Sequence, residues 1–131
     1  MNPRILLVED NEQNRYLVTF LLEQHGYHVI PARSGVEGIE LASQAQPDLI
    51  ILDIQLPEMD GYAVARALRQ IPALKEVPIV AVTSYAMPGD RERVLAAGCT
   101  GYIEKPIKPD TFRQEVEGYL NARPSGGGAR P

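Results

Sequence analysis

Short runs of aliphatic residues recur along the chain, and a segment with helical spacing of apolar residues follows each run. Such continuous runs are typical of buried strands in a parallel sheet. Alternation of strands with helices predicts an α/β fold, a doubly wound sheet of five parallel strands between two helical layers, or (βα)5 three-layer sandwich. Right-handed crossovers leave few strand orders, among them the flavodoxin-like one. The predicted strands are Ile5–Val8, Tyr27–Ile30, Leu49–Leu52, Ile79–Val82 and Gly101–Ile103.

Helix signals fill the segments between these strands. Ser34 and Glu37 have the spacing of a capping box, which predicts a helix that begins there. This helix presents Val36, Ile39 and Ala42 on one face. The other predicted helices are Glu12–His25, one capped by Asp60, one from about Pro88 to Ala97, and one that starts near Pro109.

Composition narrows the class of protein. The 131 residues predict one domain over residues 1–121, followed by a disordered tail over residues 122–131 that is rich in glycine. The net charge of −4 does not suggest a nucleic-acid-binding surface. The single cysteine excludes an internal disulfide. The amino terminus does not resemble a signal peptide, and no apolar stretch approaches the roughly 20 residues of a membrane span. We therefore expect a cytoplasmic protein that does not bind membranes.

Polar residues follow the aliphatic runs at the points where strands should end. Glu9 and Asp10 follow the first run and Asp53 follows the third, while Thr83 and Lys105 follow the last two. The carboxyl ends of parallel strands share one edge of the sheet, so these side chains are expected to be neighbours. Carboxylate oxygens suit Mg²⁺, and an aspartate can itself act as a nucleophile that forms an acyl phosphate. The pattern predicts a magnesium site beside an aspartyl nucleophile.

Four motifs in order resemble the signatures of the receiver domains of two-component response regulators, including chemotaxis regulators. They are Val8–Asn11, Leu52–Gly61, Val82–Ser84 and Glu104–Pro106. The resemblance extends from about Arg4 to Leu120, which is nearly the whole chain apart from its tail. It implies the strand order 2-1-3-4-5 and a role as a phosphoacceptor in a phosphorelay rather than as an enzyme acting on a separate substrate.

The resemblance also implies roles for individual residues. Asp53 would accept a phosphoryl group from a histidine kinase or a histidine phosphotransfer protein. Asp10 and Asp53 would bind Mg²⁺ directly, Gln55 would contribute its backbone carbonyl, and Glu9 would act mostly through water. Glu9 stands where the family often has aspartate, a variation that the family tolerates.

The remaining implied roles concern signal output. Lys105 would pair with the phosphoryl oxygens, with a cis peptide bond to Pro106, and Thr83 would be the switch hydroxyl that moves toward the phosphoryl group. Tyr102 matches the aromatic switch position and would turn inward when Thr83 moves. The face formed by the fourth helix, the fifth strand and the fifth helix would then change shape for a downstream protein effector. The expected state is a monomer or a phosphorylation-dependent dimer.

Other functions are compatible with parts of this pattern. A phosphatase of the haloacid-dehalogenase type also uses an aspartyl nucleophile, but it needs a second acid where this chain has Gln55. A cofactor-binding α/β module is disfavoured because no glycine-rich phosphate motif follows the first strand. Within the family, the segment Thr83–Asp90 resembles stand-alone regulators of cell-division polarity and hybrid-kinase receivers. The stand-alone interpretation is favoured because Met1 lies close to the first strand, and a fragment of a hybrid kinase or longer regulator is the alternative.

Gln55 and Tyr85 are two positions beyond Asp53 and Thr83, and they are expected to modulate how fast water reaches the phosphoryl group. Tyr85 is bulky and Gln55 is not a base, so we expect slow self-dephosphorylation. Measuring the acyl-phosphate half-life of Tyr85→Ala beside the wild type tests this, and an unchanged half-life would refute the role of Tyr85.

Overall fold

The computed structural model describes residues 2–56, 59–84 and 88–121, and within these ranges five strands alternate with five helices. The strands are β1 (Arg4–Val8), β2 (His28–Ala32), β3 (Leu49–Asp53), β4 (Ile79–Thr83) and β5 (Gly101–Glu104). The helices are α1 (Glu12–Glu23), α2 (Gly35–Ala45), α3 (Gly61–Arg69), α4 (Asp90–Ala96) and α5 (Pro109–Asn121). A short 3₁₀ turn, Pro72–Leu74, follows α3. The expected tail and Tyr85 lie outside the described residues.

All four strand pairs are parallel, and the sheet has the order β2-β1-β3-β4-β5. This confirms the doubly wound fold and the order 2-1-3-4-5. Val8 at the end of β1 is level with Leu52 near the end of β3. The strand ends that carry the candidate chemistry are therefore adjacent. Among the described helices, none has the length and apolar character needed to cross a bilayer.

The two faces of the sheet support separate apolar clusters because successive side chains of a strand point to opposite faces. Leu6 and Leu52 belong to the cluster that includes α2, α3 and α4. Leu7 and Ile51 belong to the cluster on the other face, where α1 and α5 pack. Phe112 of α5 is fully buried in this second cluster. The predicted three layers are thus present, with the sheet in the middle.

The edge strand β2 extends further than predicted. The prediction ended at Ile30, yet the strand continues through Pro31 to Ala32. Proline interrupts a central strand because it has no N–H to donate, but an edge strand tolerates it. Since β2 has β1 on one side as its partner in the sheet, Pro31 can pair in register with Leu7 without disrupting a second ladder.

The core-facing side of α2 differs from the prediction at Val36, whereas Ala42 is buried and Ile39 packs against the core as predicted. Val36 is 58% exposed, and the buried residues of α2 are Gly35, Gly38 and Ala42. A Cβ atom on Gly38 would lie 2.7 Å from a methyl carbon of Val8, so only glycine lets the helix approach the sheet this closely. Hydrophobic periodicity does not detect that Gly35 and Gly38 lie on this face, because glycine contributes no apolar signal. The predicted caps of α2 and α3 are confirmed at Ser34 and Asp60.

Arg69 at the end of α3 joins three chain segments at the end of the sheet opposite the acids. Its Nη1 donates to the carbonyl oxygens of Leu74 and Val77, both at 2.7 Å. Its Nε donates to the carbonyl oxygen of Gly98 at 2.8 Å. Burial lowers the pKa of this guanidinium, so the hydrogen bonds offset part of the cost of removing the charge from water. Arg69 is therefore a structural anchor.

Replacing Arg69 by Met keeps an apolar stem of similar length and removes the guanidinium donors. We expect the free energy of unfolding to fall by roughly 2–4 kcal/mol, because carbonyl groups lose charged hydrogen-bond partners. Urea unfolding followed by circular dichroism measures this. Arg66→Met, at an exposed position of the same helix, is the matched control and should change stability by less than about 0.5 kcal/mol. Equal stability of Arg69→Met and the wild type would contradict the anchoring role.

Candidate functional site

Three carboxylates from two adjacent strand ends form a compact group. Glu9 and Asp10 follow β1, and Asp53 is the last residue of β3, the neighbour of β1 in the sheet. One carboxylate oxygen from each residue lies within 4.8 Å of the other two. Glu9 and Asp53 are buried, whereas Asp10 is exposed. The parallel pairing of β1 and β3 therefore brings together the three acids that the sequence singled out.

Backbone N–H groups hold two of these carboxylates in place. The N–H of Asn11 donates to Glu9 Oε2 at 3.1 Å, and the N–H of Gln55 donates to Asp53 Oδ1 at 2.8 Å. In both cases the donor is two residues after the acid, an arrangement in which a carboxylate bonds its own loop. The loops after β1 and β3 thus fix the orientation of these acids.

Arg15 is a contributor that sequence reasoning missed. Its guanidinium Nη1 donates to the carbonyl oxygen of Glu9 at 2.9 Å and to that of Asp10 at 3.3 Å. The guanidinium of Arg15 on α1 therefore holds the backbone of Glu9 and Asp10 and places a positive charge next to it. The sequence gives no signal for this role, since an arginine on a partly exposed helix is ordinary.

Lys105 places a positive charge beside the second carboxylate oxygen of Asp53, the one not bonded by the Gln55 N–H. Its Nζ lies 3.3 Å from Asp53 Oδ2, and the side chains are 23% and 4% exposed respectively. The backbone N–H of Lys105 also donates to the carbonyl oxygen of Thr83 at 2.8 Å, which connects the end of β4 to this loop. The peptide bond to Pro106 is cis, as expected.

The electrostatics of the group favour binding of a cation. The pKa of the Glu9 carboxyl is raised to about 7. Burial is the main cause and the nearby charge of Asp53 adds to it, whereas the Asn11 N–H and Lys105 act in the lowering direction. A carboxyl group with so high a pKa is only partly ionised near neutral pH. A divalent cation among hard oxygen ligands would stabilise its ionised form, so the donor set of Glu9, Asp10 and Asp53 fits Mg²⁺.

The two predicted switch residues lie on neighbouring strands, Thr83 at the end of β4 and Tyr102 within β5. Thr83 is buried at the end of β4, and the preceding residue Val82 pairs in register with Asp53. Tyr102 of β5 is half-buried and packs against the cluster on the side of α2, α3 and α4. Tyr85 lies outside the described residues, so its role stays a prediction.

The side chain of Gln55 is bound to the end of β4. Its Oε1 accepts hydrogen bonds from the backbone N–H of Ser84 at 3.0 Å and from Ser84 Oγ at 2.8 Å. Ser84 was part of a recognised motif but had no assigned role. Only the folded chain shows the contact, because the two partners are 29 positions apart in sequence. The role of Gln55 in the rate of dephosphorylation stays a prediction.

Gly61 fixes the loop that follows Asp53. Its N–H donates to the carbonyl oxygen of Ile54 at 3.2 Å, and a Cβ atom at this position would lie 2.4 Å from Ile54 Cα. Any side chain would push the start of α3 away from the loop. The glycine after the cap Asp60 is therefore required by close backbone approach.

A cavity of about 380 Å³ opens beside the acids, between α1 and the loop after β5. Its polar lining includes Glu9, Asp53, Ser84 and Lys105, and its floor is made of aliphatic side chains from the sheet and α1. The phosphoacceptor candidate is buried by its neighbours but is reached through this cavity.

Comparisons with known proteins agree with this geometry. A family model described as the response regulator receiver domain matches residues 5–117. The polar-differentiation response regulator DivK of Brucella ovis is 44% identical over 120 residues, covering 92% of this chain and 98% of that protein. The DivK protein of Brucella anthropi is 43% identical with the same coverage.

Solved structures show the same fold. The chemotaxis protein CheY4 of Vibrio cholerae superposes with a TM-score of 0.88 at 30% identity, covering 91% of this chain and 99% of that chain. The receiver domain of a sensor histidine kinase from Pseudomonas aeruginosa has a TM-score of 0.85 at 34% identity, covering 93% and 100%. That structure has a magnesium ion coordinated in its active-site cleft. By its own geometry and by its relatives, the chain belongs to the response regulator receiver domains of two-component signalling.

Proposed function

We propose that Asp53 is the phosphoacceptor of a two-component phosphorelay. The observation that carries the proposal is the position of its carboxylate, which lies in the acidic group and is paired with Lys105 at 3.3 Å. In the transfer, an Asp53 oxygen bonds to the phosphorus of a phosphohistidine as the phosphorus–nitrogen bond breaks. The imidazole leaves with the bonding electron pair and takes up a proton, so the products are an acyl phosphate and a neutral histidine.

Asp10, Asp53 and the backbone carbonyl of Gln55 would bind Mg²⁺ directly, and Glu9 would act mostly through water. The bound cation would neutralise charge between an anionic nucleophile and an anionic phosphoryl group. The acidic group itself supports this assignment, since three adjacent carboxylates repel one another without a cation.

The residues around Asp53 change partners when the acyl phosphate forms. Lys105 leaves the Asp53 carboxyl group, which loses its charge when it is phosphorylated, and pairs with phosphoryl oxygens, which carry more charge. The Thr83 hydroxyl then donates to a phosphoryl oxygen and moves toward it. The cavity limits access to the acyl phosphate, and turnover is restricted to the phosphorylation and dephosphorylation of Asp53 itself rather than of a separate substrate.

Movement of Thr83 would change the packing of Tyr102 and the face formed by α4, β5 and α5. Conversion of a mostly inactive ensemble to a mostly active one requires roughly 5.5 kcal/mol of differential interaction. One hydroxyl bond and one charge-assisted bond to phosphoryl oxygens, at roughly 1.5–3 kcal/mol each, approach this requirement. We assign this face to a downstream protein effector.

The phosphodonor is a histidine kinase or a histidine phosphotransfer protein. Tyr16 and Phe20 of α1 support contact with a protein partner beside the cavity, because they are 73% and 48% exposed and their rings stack. An exposed pair of aromatic side chains is typical of interaction surfaces. The acidic net charge and the lack of a nucleic-acid motif favour protein partners over nucleic acid or membrane.

The similarity to DivK supports a regulator that acts through protein contacts, as a cytoplasmic receiver domain over residues 1–121. It acts as a monomer or as a phosphorylation-dependent dimer. The match covers 98% of DivK, so the similarity extends over nearly all of that protein.

Asp53→Asn removes the nucleophile and keeps a side chain of the same shape. We expect no incorporation of radiolabel from acetyl phosphate with Mg²⁺, while circular dichroism and the unfolding midpoint show a folded domain. Asp110→Asn, at an exposed position in the first turn of α5, is the control and should label like the wild type. Label retained in Asp53→Asn would show that the nucleophile is another residue.

The raised pKa of Glu9 predicts a pH dependence of magnesium binding. Because the carboxyl is protonated below about pH 7 and the cation favours its ionised form, affinity should rise as pH increases toward 7 and level off above it. The slope should reach up to about tenfold per pH unit, measured by titration of amide signals in NMR spectra. Glu9→Gln should flatten the profile, whereas Glu12→Gln, at an exposed position, should keep it. A profile that keeps its slope in Glu9→Gln would assign the titration to another group.

A further inference from the structure

We propose that Ser84 prolongs the acyl phosphate by keeping the carboxamide oxygen of Gln55 away from the attacking water. This inference rests on the proposed role of Asp53 and concerns the regulation of the same site. Ser84 acts through Gln55 and is therefore a positioning residue.

The hydrogen bonds of Gln55 saturate its oxygen. A carboxamide oxygen has two lone pairs and can accept two good hydrogen bonds. Ser84 supplies both donors, the backbone N–H at 3.0 Å and the hydroxyl at 2.8 Å. In this arrangement the oxygen has no lone pair left for water, and the free end of the carboxamide is an NH₂ group, which only donates.

Both residues lie at the reaction site. The backbone N–H of Gln55 donates to Asp53 Oδ1 at 2.8 Å, so this residue is fixed beside the phosphoacceptor. Ser84 lines the same cavity as Asp53 and Lys105. The Gln55 carboxamide is therefore close to the place where water must approach the phosphorylated Asp53, and its orientation can affect that approach.

The hydrolysis step shows why an acceptor matters. A water oxygen bonds to phosphorus as the bond between phosphorus and the Asp53 oxygen breaks, and the electron pair leaves with the carboxylate. Both water protons remain on the released dihydrogen phosphate, which then loses one to solvent. In other phosphoryl-transfer sites a glutamine side chain orients the attacking water. Such orientation uses the oxygen to accept from the water, and Ser84 prevents this by occupying it.

Ser84→Ala provides a narrow test. The substitution removes the hydroxyl donor and keeps the backbone N–H bond, and the position is exposed, so the fold tolerates it. One lone pair of Gln55 Oε1 becomes available, and we expect the acyl-phosphate half-life to shorten by roughly three- to tenfold, the effect of about one hydrogen bond. Ser84→Thr keeps a hydroxyl, and a half-life near that of the wild type in this variant supports the role of the hydroxyl.

A double-mutant cycle separates this role from general loosening of the loop. Half-lives are measured after labelling with acetyl phosphate and Mg²⁺ for the wild type, Ser84→Ala, Gln55→Ala and the double variant. If Ser84 acts through Gln55, Ser84→Ala shortens the half-life when glutamine is present and has no effect when it is added to Gln55→Ala. An equal acceleration in both backgrounds, or none in either, would overturn the inference.

Thermal unfolding of the unphosphorylated protein without magnesium gives a second measurement of the same contact. The midpoint should fall less in the double variant than the sum of the two single effects, because each single substitution already breaks the Oγ–Oε1 bond. Strict additivity would overturn the contact on which the inference rests. Wild-type protein that takes up no label would overturn the proposed function and this inference with it, whereas normal labelling with an unchanged half-life in Ser84→Ala overturns this inference alone.

Discussion

Repulsion between carboxylates that the sheet forces together is the constraint around which this site is built. The parallel pairing of β1 and β3 fixes Glu9, Asp10 and Asp53 within 4.8 Å of one another, and two of the three are buried. Two unit charges of the same sign at such a distance repel by about 3 kcal/mol at an effective dielectric constant of about 20. Glu9 and Asp10 directly follow β1 and Asp53 ends β3, and both strands lie within the buried middle of the sheet.

The surrounding groups compensate for this repulsion only in part. Lys105 pairs with Asp53, backbone N–H groups bond Glu9 and Asp53, and Arg15 binds the carbonyls of the acidic pair. The pKa of Glu9 still rises to about 7, with burial as the main cause. Burial disfavours the ionised form of Glu9, and a divalent cation beside these oxygen ligands would favour it. The three carboxylates therefore form a group that could hold a metal ion.

Local signals made most of the fold predictable, whereas contacts between distant segments were not. Aliphatic runs located the five strands to within about two residues, and the caps Ser34 and Asp60 were identified from side chains that bond within three residues of themselves. On α2 the prediction was wrong for Val36, which is exposed, while Ile39 and Ala42 pack toward the core as predicted; the close approach of Gly38 to Val8 was not predicted. Within the site, residue types at strand ends identified the acids, Thr83 and Lys105. The roles of Arg15 and Ser84 depend on the oxygen atom to which each side chain donates in the folded chain. No pattern of neighbouring residues in the sequence indicates these contacts.

The site also connects two loops that must respond to each other. Gln55 belongs to the loop after β3 and bonds Asp53 through its backbone, while its side chain bonds Ser84, which directly follows Thr83 at the end of β4. Lys105 similarly pairs with Asp53 through its side chain and bonds the carbonyl of Thr83 through its backbone. Two residues therefore link Asp53 to the end of β4. Lys105 and Gln55 therefore contact both Asp53 and the backbone at the end of β4, so a change of charge at Asp53 acts on residues that are hydrogen-bonded to Thr83 and Ser84.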